Sequence, residues 1–264
     1  MKMKKYLILF AACLVPLAGC NQFSFQTEEP AAKKATVKRA EKPLKEVQQG
    51  DITITGVGDS LTAGIGDDTR NGGYVGVVKN KLMNLRSTKN VAVNNYAVHG
   101  NLTTDLLIKL DSPEVQESIK KSDIILLTIG GNDIMKVLKE NIFDLTLEPF
   151  KEEQSAYEER MSEILETIRT LNPDAKIIYS GLYNPFKFAL PELSEIDLVV
   201  ADWNKAARSL LEEDENAVYV PVSDIYQREN ENLLYDDAFH PNKEGYSLIG
   251  ERVFDAIVER DNPA

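Results

Sequence analysis

The stretch "DITITGVGDSLTAG", residues 51–64, joins a run of alternating apolar residues to a turn rich in glycine, aspartate and serine. The alternation predicts a β-strand, and Gly, Asp and Ser commonly occur where strands end. Ser60 lies in that turn. It is either an ordinary turn residue or a nucleophile. The choice depends on whether the chain also supplies a base, a group that orients the base, and donors for an oxyanion.

The chain after residue 64 alternates between predicted strands and predicted helices. The further strands are "NVAVNNYA" (90–97), "DIILLTIG" (123–130), "AKIIYSGL" (175–182) and "AVYVPV" (217–222). The clearest helical stripe lies in 155–171 and comprises Met161, Ile164, Leu165, Ile168 and Leu171, and a second comprises Tyr246, Ile249, Val253 and Ile257. Such alternation predicts an α/β fold with a parallel sheet covered on both faces.

Glycine-rich turns follow the first three predicted strands, as "GDSLTAG", "VHGN" and "GGND". In open parallel sheets ligands bind beyond the carboxyl ends of the strands, so these turns are expected to meet at one crevice. A Rossmann dinucleotide site is disfavoured, because Leu61 stands where the third glycine of that motif belongs. A phosphate-binding P-loop is disfavoured because the Gly-Lys-Ser/Thr element is missing from this stretch.

Two histidines are candidates for the base that a serine nucleophile needs. His240 stands in "DDAFHPN" before the last predicted helix. Pro241 disfavours a helix at His240 and Asn242 can cap the helix that follows, which places His240 on a loop. His99 precedes Gly100 after the second strand, and we expect it to be a loop histidine without a catalytic role.

A carboxylate close to His240 can fix its tautomer, so that the other ring nitrogen is free to accept the serine proton. Asp237 lies three residues before His240 and Asp236 four residues before it, and the spacing alone allows either. The same segment also fits a solvated acidic turn beside a surface histidine.

Three groups are candidate oxyanion donors: the Ser60 backbone amide at a helix start, the Gly100 backbone amide and the Asn132 side-chain amide. Taken singly, Gly100 fits a strand-end turn and Asn132 fits a helix N-cap. Asp59, next to the serine, is expected to be structural.

Four short blocks contain these residues in order: "GDSL" with Ser60, "VHGN" with Gly100, "GGND" with Asn132, and "DAFH" with Asp237 and His240. Together they resemble the blocks of the GDSL, or SGNH, hydrolase family over residues 51–258. The resemblance implies a three-layer α/β/α flavodoxin-like fold with a five-stranded parallel sheet, and hydrolysis of esters or thioesters without metal or cofactor. It also assigns Ser60 as nucleophile, His240 as base and later acid, and Asp237 as the group that orients it. Ser60, Gly100 and Asn132 would form the oxyanion hole.

The first residues, "MKMKKYLILFAACLVPLAGC", are typical of a secretory signal that is too short for a confident membrane span. The "LAGC" ending resembles the bacterial lipobox, which implies cleavage before Cys20 and attachment of lipid to its sulfur. We therefore expect a signal peptide at 1–19, a lipidated polar tether at 20–50 and a hydrolase domain at 51–264. This predicts anchoring at the extracytoplasmic face of the bacterial cell membrane. An ordinary signal peptide with an incidental cysteine is the alternative.

Charge and cysteine content limit which classes of partner and which covalent links the chain is expected to have. The formal net charge is −12, which argues against nucleic acid and against electrostatic adhesion to an anionic membrane. Lipid on Cys20 would then be the anchor. Cys13, the other of the two cysteines, lies inside the predicted signal peptide, so no disulfide is expected. No His/Cys cluster suggests zinc.

The substrate is less well defined by the sequence. The apolar residues of 134–150 and 181–193 follow the third and fourth strands, and they fit either an acyl groove or the core. We expect lipid or short acyl esters, with cell-wall carbohydrate O-acetyl groups as the alternative. A non-catalytic solute-binding lipoprotein is a hypothesis from another class, but it would not need Ser60, His240 and Asp237 together.

Overall fold

The computed structural model describes residues 50–187, 195–227 and 232–258. The predicted signal peptide (1–19) and the predicted tether (20–50), with Cys20, lie outside the described residues apart from Gly50. Among the helices of the described part, none is long and apolar enough to cross a membrane.

A parallel sheet of five strands forms the centre of the described chain, with the order β2-β1-β3-β4-β5. The strands are β1 (Gly50–Gly58), β2 (Thr88–Asn95), β3 (Ile124–Thr128), β4 (Lys176–Ser180) and β5 (Ala217–Val220). The prediction of five strands is confirmed, although the last four end two residues earlier than the sequence predicts. This order is that of a flavodoxin-like sheet, as predicted.

Helices cover both faces of the sheet. They are α1 (Ser60–Ala63), α2 (Gly73–Met83), α3 (Thr103–Leu110), α4 (Pro113–Lys120), α5 (Gly131–Glu140), α6 (Glu148–Leu171), α7 (Glu195–Leu211) and α8 (Lys243–Val258), with a 3-10 helix at Ser223–Gln227. Residues of α2 and α8 pack in one hydrophobic cluster and residues of α3 to α7 pack in the other. The predicted three-layer α/β/α fold is therefore confirmed.

Successive residues of β3 show how the sheet is buried on both sides. Ile124 and Leu126 belong to the cluster with α2 and α8, whereas Ile125 and Leu127 belong to the cluster on the opposite face. Because side chains alternate along a strand, a strand covered on both faces is continuously apolar.

The two predicted helical stripes are confirmed as parts of α6 and α8, and four residues of each are buried. Helix α6 begins at Glu148, seven residues before its predicted start. The segment 148–154 is mostly polar, and Phe150 is its buried residue. Its helical period is therefore weak in the sequence, and packing of Phe150 against the core extends the helix.

The end of β1 is shaped by Gly58, whose φ is +120°. A Cβ atom at this position would lie 1.9 Å from the carbonyl oxygen of Thr128 on β3, so no other residue fits. The next amide, of Asp59, donates to that same Thr128 oxygen at 3.0 Å. This close approach fixes where the chain leaves the sheet and enters α1.

Candidate active site

Ser60 is the first residue of α1 and lies directly beyond the carboxyl end of β1. The helix is capped by Asp59, whose Oδ1 accepts a hydrogen bond from the Leu61 amide at 3.1 Å and another from the Thr128 hydroxyl at 2.6 Å. These bonds give Asp59 the structural role predicted for it. Ser60 is only 2% exposed, so bulk water has little access to this side chain.

His240 lies on the loop before α8, as predicted, and is 5% exposed. Its Nε2 atom lies 2.9 Å from Ser60 Oγ, and its Nδ1 atom lies 2.6 Å from Asp237 Oδ2. A carboxylate can only accept, so Nδ1 carries the proton and Nε2 presents a lone pair to the serine hydroxyl. The arrangement has the geometry of a nucleophile, a general base and an orienting carboxylate.

Asp237 is held by its own loop. Its Oδ1 atom accepts hydrogen bonds from the backbone amides of Phe239 at 3.0 Å and His240 at 2.9 Å. Ala238, which lies between Asp237 and Phe239, has a φ of +52°. Burial tends to raise the pKa of the Asp237 carboxyl, but hydrogen bonds from the ring and amide of His240 lower it below its usual value. Asp237, rather than Asp236, is therefore the carboxylate on His240.

The two other predicted oxyanion donors follow different strands: Gly100 lies in the turn after β2, and Asn132 is the second residue of α5, which follows β3. Asn132 lines the pocket beside Ser60, and its Nδ2 atom donates one N–H to the carbonyl of Asn101 at 2.9 Å. Helix α5 has Gly130 as its N-cap, so Asn132 is not the cap that the alternative interpretation suggested. Gly100 is exposed with a φ of +85°, and it is not among the residues that line the pocket in the described chain.

His99 occupies an exposed loop position, as expected, but its surroundings differ from those of an isolated surface residue. Its ring centroid lies 5.2 Å from that of His240, with the planes tilted by 56°. The hydrogen bonds to Ser60 and Asp237 are made by His240. The geometry thus distinguishes the two histidines in favour of His240.

A pocket of about 40 Å³ opens beside Ser60. Its lining comprises Asp59, Ser60, Leu61, Thr128, Gly131, Asn132, Gly181, Leu182, Tyr183, Pro185 and Phe239. The described part of 181–193 thus contributes an apolar wall, while 188–193 lie outside the described residues. From 134–150, Ile134, Val137, Leu138 and Phe150 belong instead to the core, and no residue of that stretch lines this pocket.

Sequence reasoning missed several residues that support the site. The ring of Tyr183 stacks on that of Tyr226, with the ring centroids 3.9 Å apart. The Tyr183 hydroxyl donates to the carbonyl of Phe239 at 2.7 Å, and this bond fixes the loop that carries His240. Asp133 is buried directly after Asn132 and accepts bonds from Thr103. The "GGND" block contains Asp133, but nothing local in the sequence indicates its partner.

Two carboxyl groups next to the site are perturbed by burial. Burial raises the pKa of Asp59, although hydrogen bonds from Thr128 and Leu61 oppose the shift. Burial also raises the pKa of Asp133, against hydrogen bonds from Thr103 and the charge of Arg160. Over residues 50–187, 195–227 and 232–258, no group of three His, Cys, Asp or Glu side chains is placed to hold a metal ion.

Comparisons with known proteins give a consistent result. The model of the GDSL-like lipase/acylhydrolase family matches residues 57–248. The chain is 42% identical to the uncharacterized protein YpmR of Bacillus subtilis (strain 168) over 265 residues, which cover 100% of this chain and 99% of that protein. It is 30% identical to the spore germination lipase LipC of Bacillus licheniformis over 210 residues, 76% of this chain and 94% of LipC. The structure of the lipase Lip_vut3 from a goat rumen metagenome matches with 27% identity and a TM-score of 0.70, over 78% of this chain and 97% of that chain.

Proposed function

The chain belongs to the GDSL-like lipase/acylhydrolase family of ester-bond hydrolases, and on this basis we propose that it is a serine esterase acting through an acyl-enzyme. The observation that carries the proposal is the continuous chain of contacts from Ser60 Oγ to His240 Nε2 and from His240 Nδ1 to Asp237 Oδ2. Each group stands at hydrogen-bonding distance from the next, as proton transfer from the serine requires.

In the first half-reaction, Ser60 Oγ attacks the ester carbonyl carbon while its proton moves to His240 Nε2. The carbonyl oxygen becomes an oxyanion, for which the Ser60 amide, the Gly100 amide and the Asn132 side chain are the proposed donors. The carbon–oxygen bond to the alcohol then breaks. His240 gives its proton to the departing alkoxide, which leaves Ser60 acylated.

In the second half-reaction, His240 takes a proton from water as the water oxygen attacks the acyl carbon. The bond to Ser60 Oγ breaks, and the proton on His240 returns to the serine. The products are a carboxylic acid and the regenerated enzyme. Asp237 stays ionised throughout and stabilises the imidazolium that forms twice in each cycle.

The apolar wall of the pocket supports lipid or short acyl esters as substrates. Leu182, Tyr183, Pro185 and Phe239 are among the residues that line the pocket, and their side chains consist mainly of carbon atoms. A relative of the chain named as a spore germination lipase is in keeping with this substrate class.

Turnover of p-nitrophenyl esters by the purified protein tests the activity, with acyl chains from acetate to dodecanoate to define the substrate. Ser60→Ala should lower turnover by at least about 10³-fold without changing the circular dichroism spectrum. The matched control is Ser155→Ala, an exposed serine on α6. Turnover by Ser60→Ala close to that of wild type would contradict the mechanism. Release of acetate from cell wall, without hydrolysis of longer esters, would favour the carbohydrate esterase instead.

The membrane anchor is proposed on the sequence alone. The apolar stretch before Cys20, the "LAGC" ending and the polar segment that follows support lipid attachment to the Cys20 sulfur. Two buried acyl chains make a stable anchor where one is marginal. In a bacterial host, Cys20→Ser should remove the processed protein from the membrane fraction. Soluble wild-type protein with an unmodified Cys20 would refute the anchor and leave the esterase proposal intact.

A further inference from the structure

The Asn132 side chain is held by a turn from another part of the chain. Its amide has two N–H donors, and one of them is bound to the carbonyl of Asn101 at 2.9 Å. That bond sets the rotation of the amide group and so the direction of the second N–H, in a side chain that lines the pocket. The position of the Asn101 carbonyl therefore determines where the second donor points.

A second set of hydrogen bonds connects the same two segments, the start of α3 and the start of α5. Asp133 follows Asn132 on α5, and Thr103 begins α3 two residues after Asn101. The Asp133 carboxylate accepts the Thr103 amide at 3.1 and 3.2 Å and the Thr103 hydroxyl at 2.6 Å. Asp133 is 3% exposed and Thr103 is fully buried, so water does not compete for these bonds.

Arg160 on α6 completes this set. Its Nε atom donates to the Thr103 hydroxyl at 2.5 Å, and its Nη2 atom lies 3.3 Å from Asp133 Oδ1 and 2.5 Å from Glu153 Oε1. The Thr103 hydroxyl thus accepts from Arg160 and donates to Asp133, which leaves it one orientation. A buried carboxylate needs a compensating charge, and Arg160 supplies it.

We propose that Thr103, Asp133 and Arg160 are positioning residues that fix the distance between α3 and α5, and through it the direction of the Asn132 donor. The inference rests on the proposed function, because it matters only if Asn132 stabilises an oxyanion. None of the three residues lines the pocket within the described chain, so they act through Asn132 and not on the substrate. An ion pair with only a structural role would stabilise the fold and leave the donor's contribution unchanged.

Thr103→Val and Thr103→Ser form the matched test. Valine keeps the shape and the backbone amide but loses the hydroxyl, whereas serine keeps the hydroxyl. With a p-nitrophenyl ester, Thr103→Val should lower kcat about tenfold and change KM by less than about twofold. Thr103→Ser should restore kcat to within about threefold of wild type. Loss of activity in Thr103→Val through KM alone would overturn the proposal.

A double-mutant cycle separates positioning from general destabilisation. If Thr103 acts through Asn132, adding Thr103→Val to Asn132→Ala should lower kcat by less than about twofold further. A full additional tenfold loss would refute the proposal. Should Thr103→Val not fold, Arg160→Gln is taken through the same cycle with the same expected results, since Arg160 is at the edge of the cluster with 19% of its side chain exposed. Arg169→Gln, on the same helix but paired with Asp214, is the control that should leave kcat unchanged.

These outcomes are distinct from failure of the proposed function. If wild type hydrolyses no ester, or if Ser60→Ala is as active as wild type, the esterase proposal fails. If wild type is active and depends on Ser60 but the cycle is additive, only the positioning proposal fails.

Discussion

Asp237 Oδ2 and His240 Nδ1 lie 2.6 Å apart across a turn of only three residues. The same carboxylate accepts two backbone amides of that turn through its other oxygen, so the base and its orienting group form one local unit. All of these hydrogen bonds are formed within residues 237–240, without any contribution from Ser60.

Asp237→Asn should therefore lower kcat by about 10²–10⁴-fold, because an amide at this position favours the wrong tautomer of His240. Asp236→Asn is the matched control and should keep kcat within about twofold of wild type. Steady-state hydrolysis of a p-nitrophenyl ester measures both. Equal losses in the two variants would show that the acidic turn acts through its charge and not through one hydrogen bond.

Substitutions of the two histidines, His240 and His99, form a second matched comparison. His240→Ala should reduce kcat by about 10³-fold or more, since it removes the group 2.9 Å from Ser60 Oγ. His99→Ala should keep most of the activity, because the hydrogen bonds to Ser60 and Asp237 are made by His240, beside whose ring His99 lies. The measurement is the same ester assay over a range of substrate concentrations. A loss in His99→Ala as deep as that in His240→Ala would reverse the assignment of the base.

Asn132→Ala should lower kcat by about 10²-fold with a smaller effect on KM, because an oxyanion donor acts mainly in the transition state. Asn132→Asp is a useful companion variant, since it keeps the size of the side chain but loses both N–H donors. It should be at least as impaired as alanine. Unchanged kcat with a raised KM would make Asn132 a residue that binds the ground state.

Asp59 leads to a prediction about stability. Because burial raises its pKa in the folded state, the folded protein binds this proton more tightly than the unfolded chain does. The free energy of unfolding should then fall as pH rises from about 4 through the higher folded pKa. Asp59→Asn can keep the bonds from Leu61 and Thr128 but cannot ionise. Its stability relative to wild type should therefore increase with pH.

Urea unfolding followed by circular dichroism, at several pH values between about 4 and 8, measures this difference. Asp68→Asn, at an exposed position, is the control. A stability difference for Asp59→Asn that stays constant across the range would contradict the prediction.

Local chemistry explains which parts of the molecule could be predicted from sequence. The strands could be predicted because alternating or continuous apolar runs are properties of short stretches. His240 could be placed on a loop because Pro241 follows it. The choice between Asp236 and Asp237 depended on a turn with an unusual φ at Ala238, which spacing does not reveal. The prediction of catalytic roles for Ser60, Gly100, Asn132, Asp237 and His240 stays a prediction until the variants are assayed.

Contacts between distant parts of the chain could not be predicted in this way. Arg160 lies 57 residues from Thr103 and 27 from Asp133, on a helix whose exposed face carries many other charges. Nothing distinguishes it from those neighbours before the helix is packed. Tyr183 is a similar case, since its hydroxyl bonds to a carbonyl 56 residues away.

The separation of 180 residues between Ser60 and His240 also bears on how the protein is made. A ribosome synthesises the nucleophile early and its base late, so a nascent chain that lacks its last portion has a serine with no proton acceptor. With His240 as the proposed base, hydrolysis begins only after His240 has been translated and α8, which follows it, has packed against α2. On the proposed mechanism, fragments that end before His240, whether from premature termination or from proteolysis within the preceding loops, are inactive on esters.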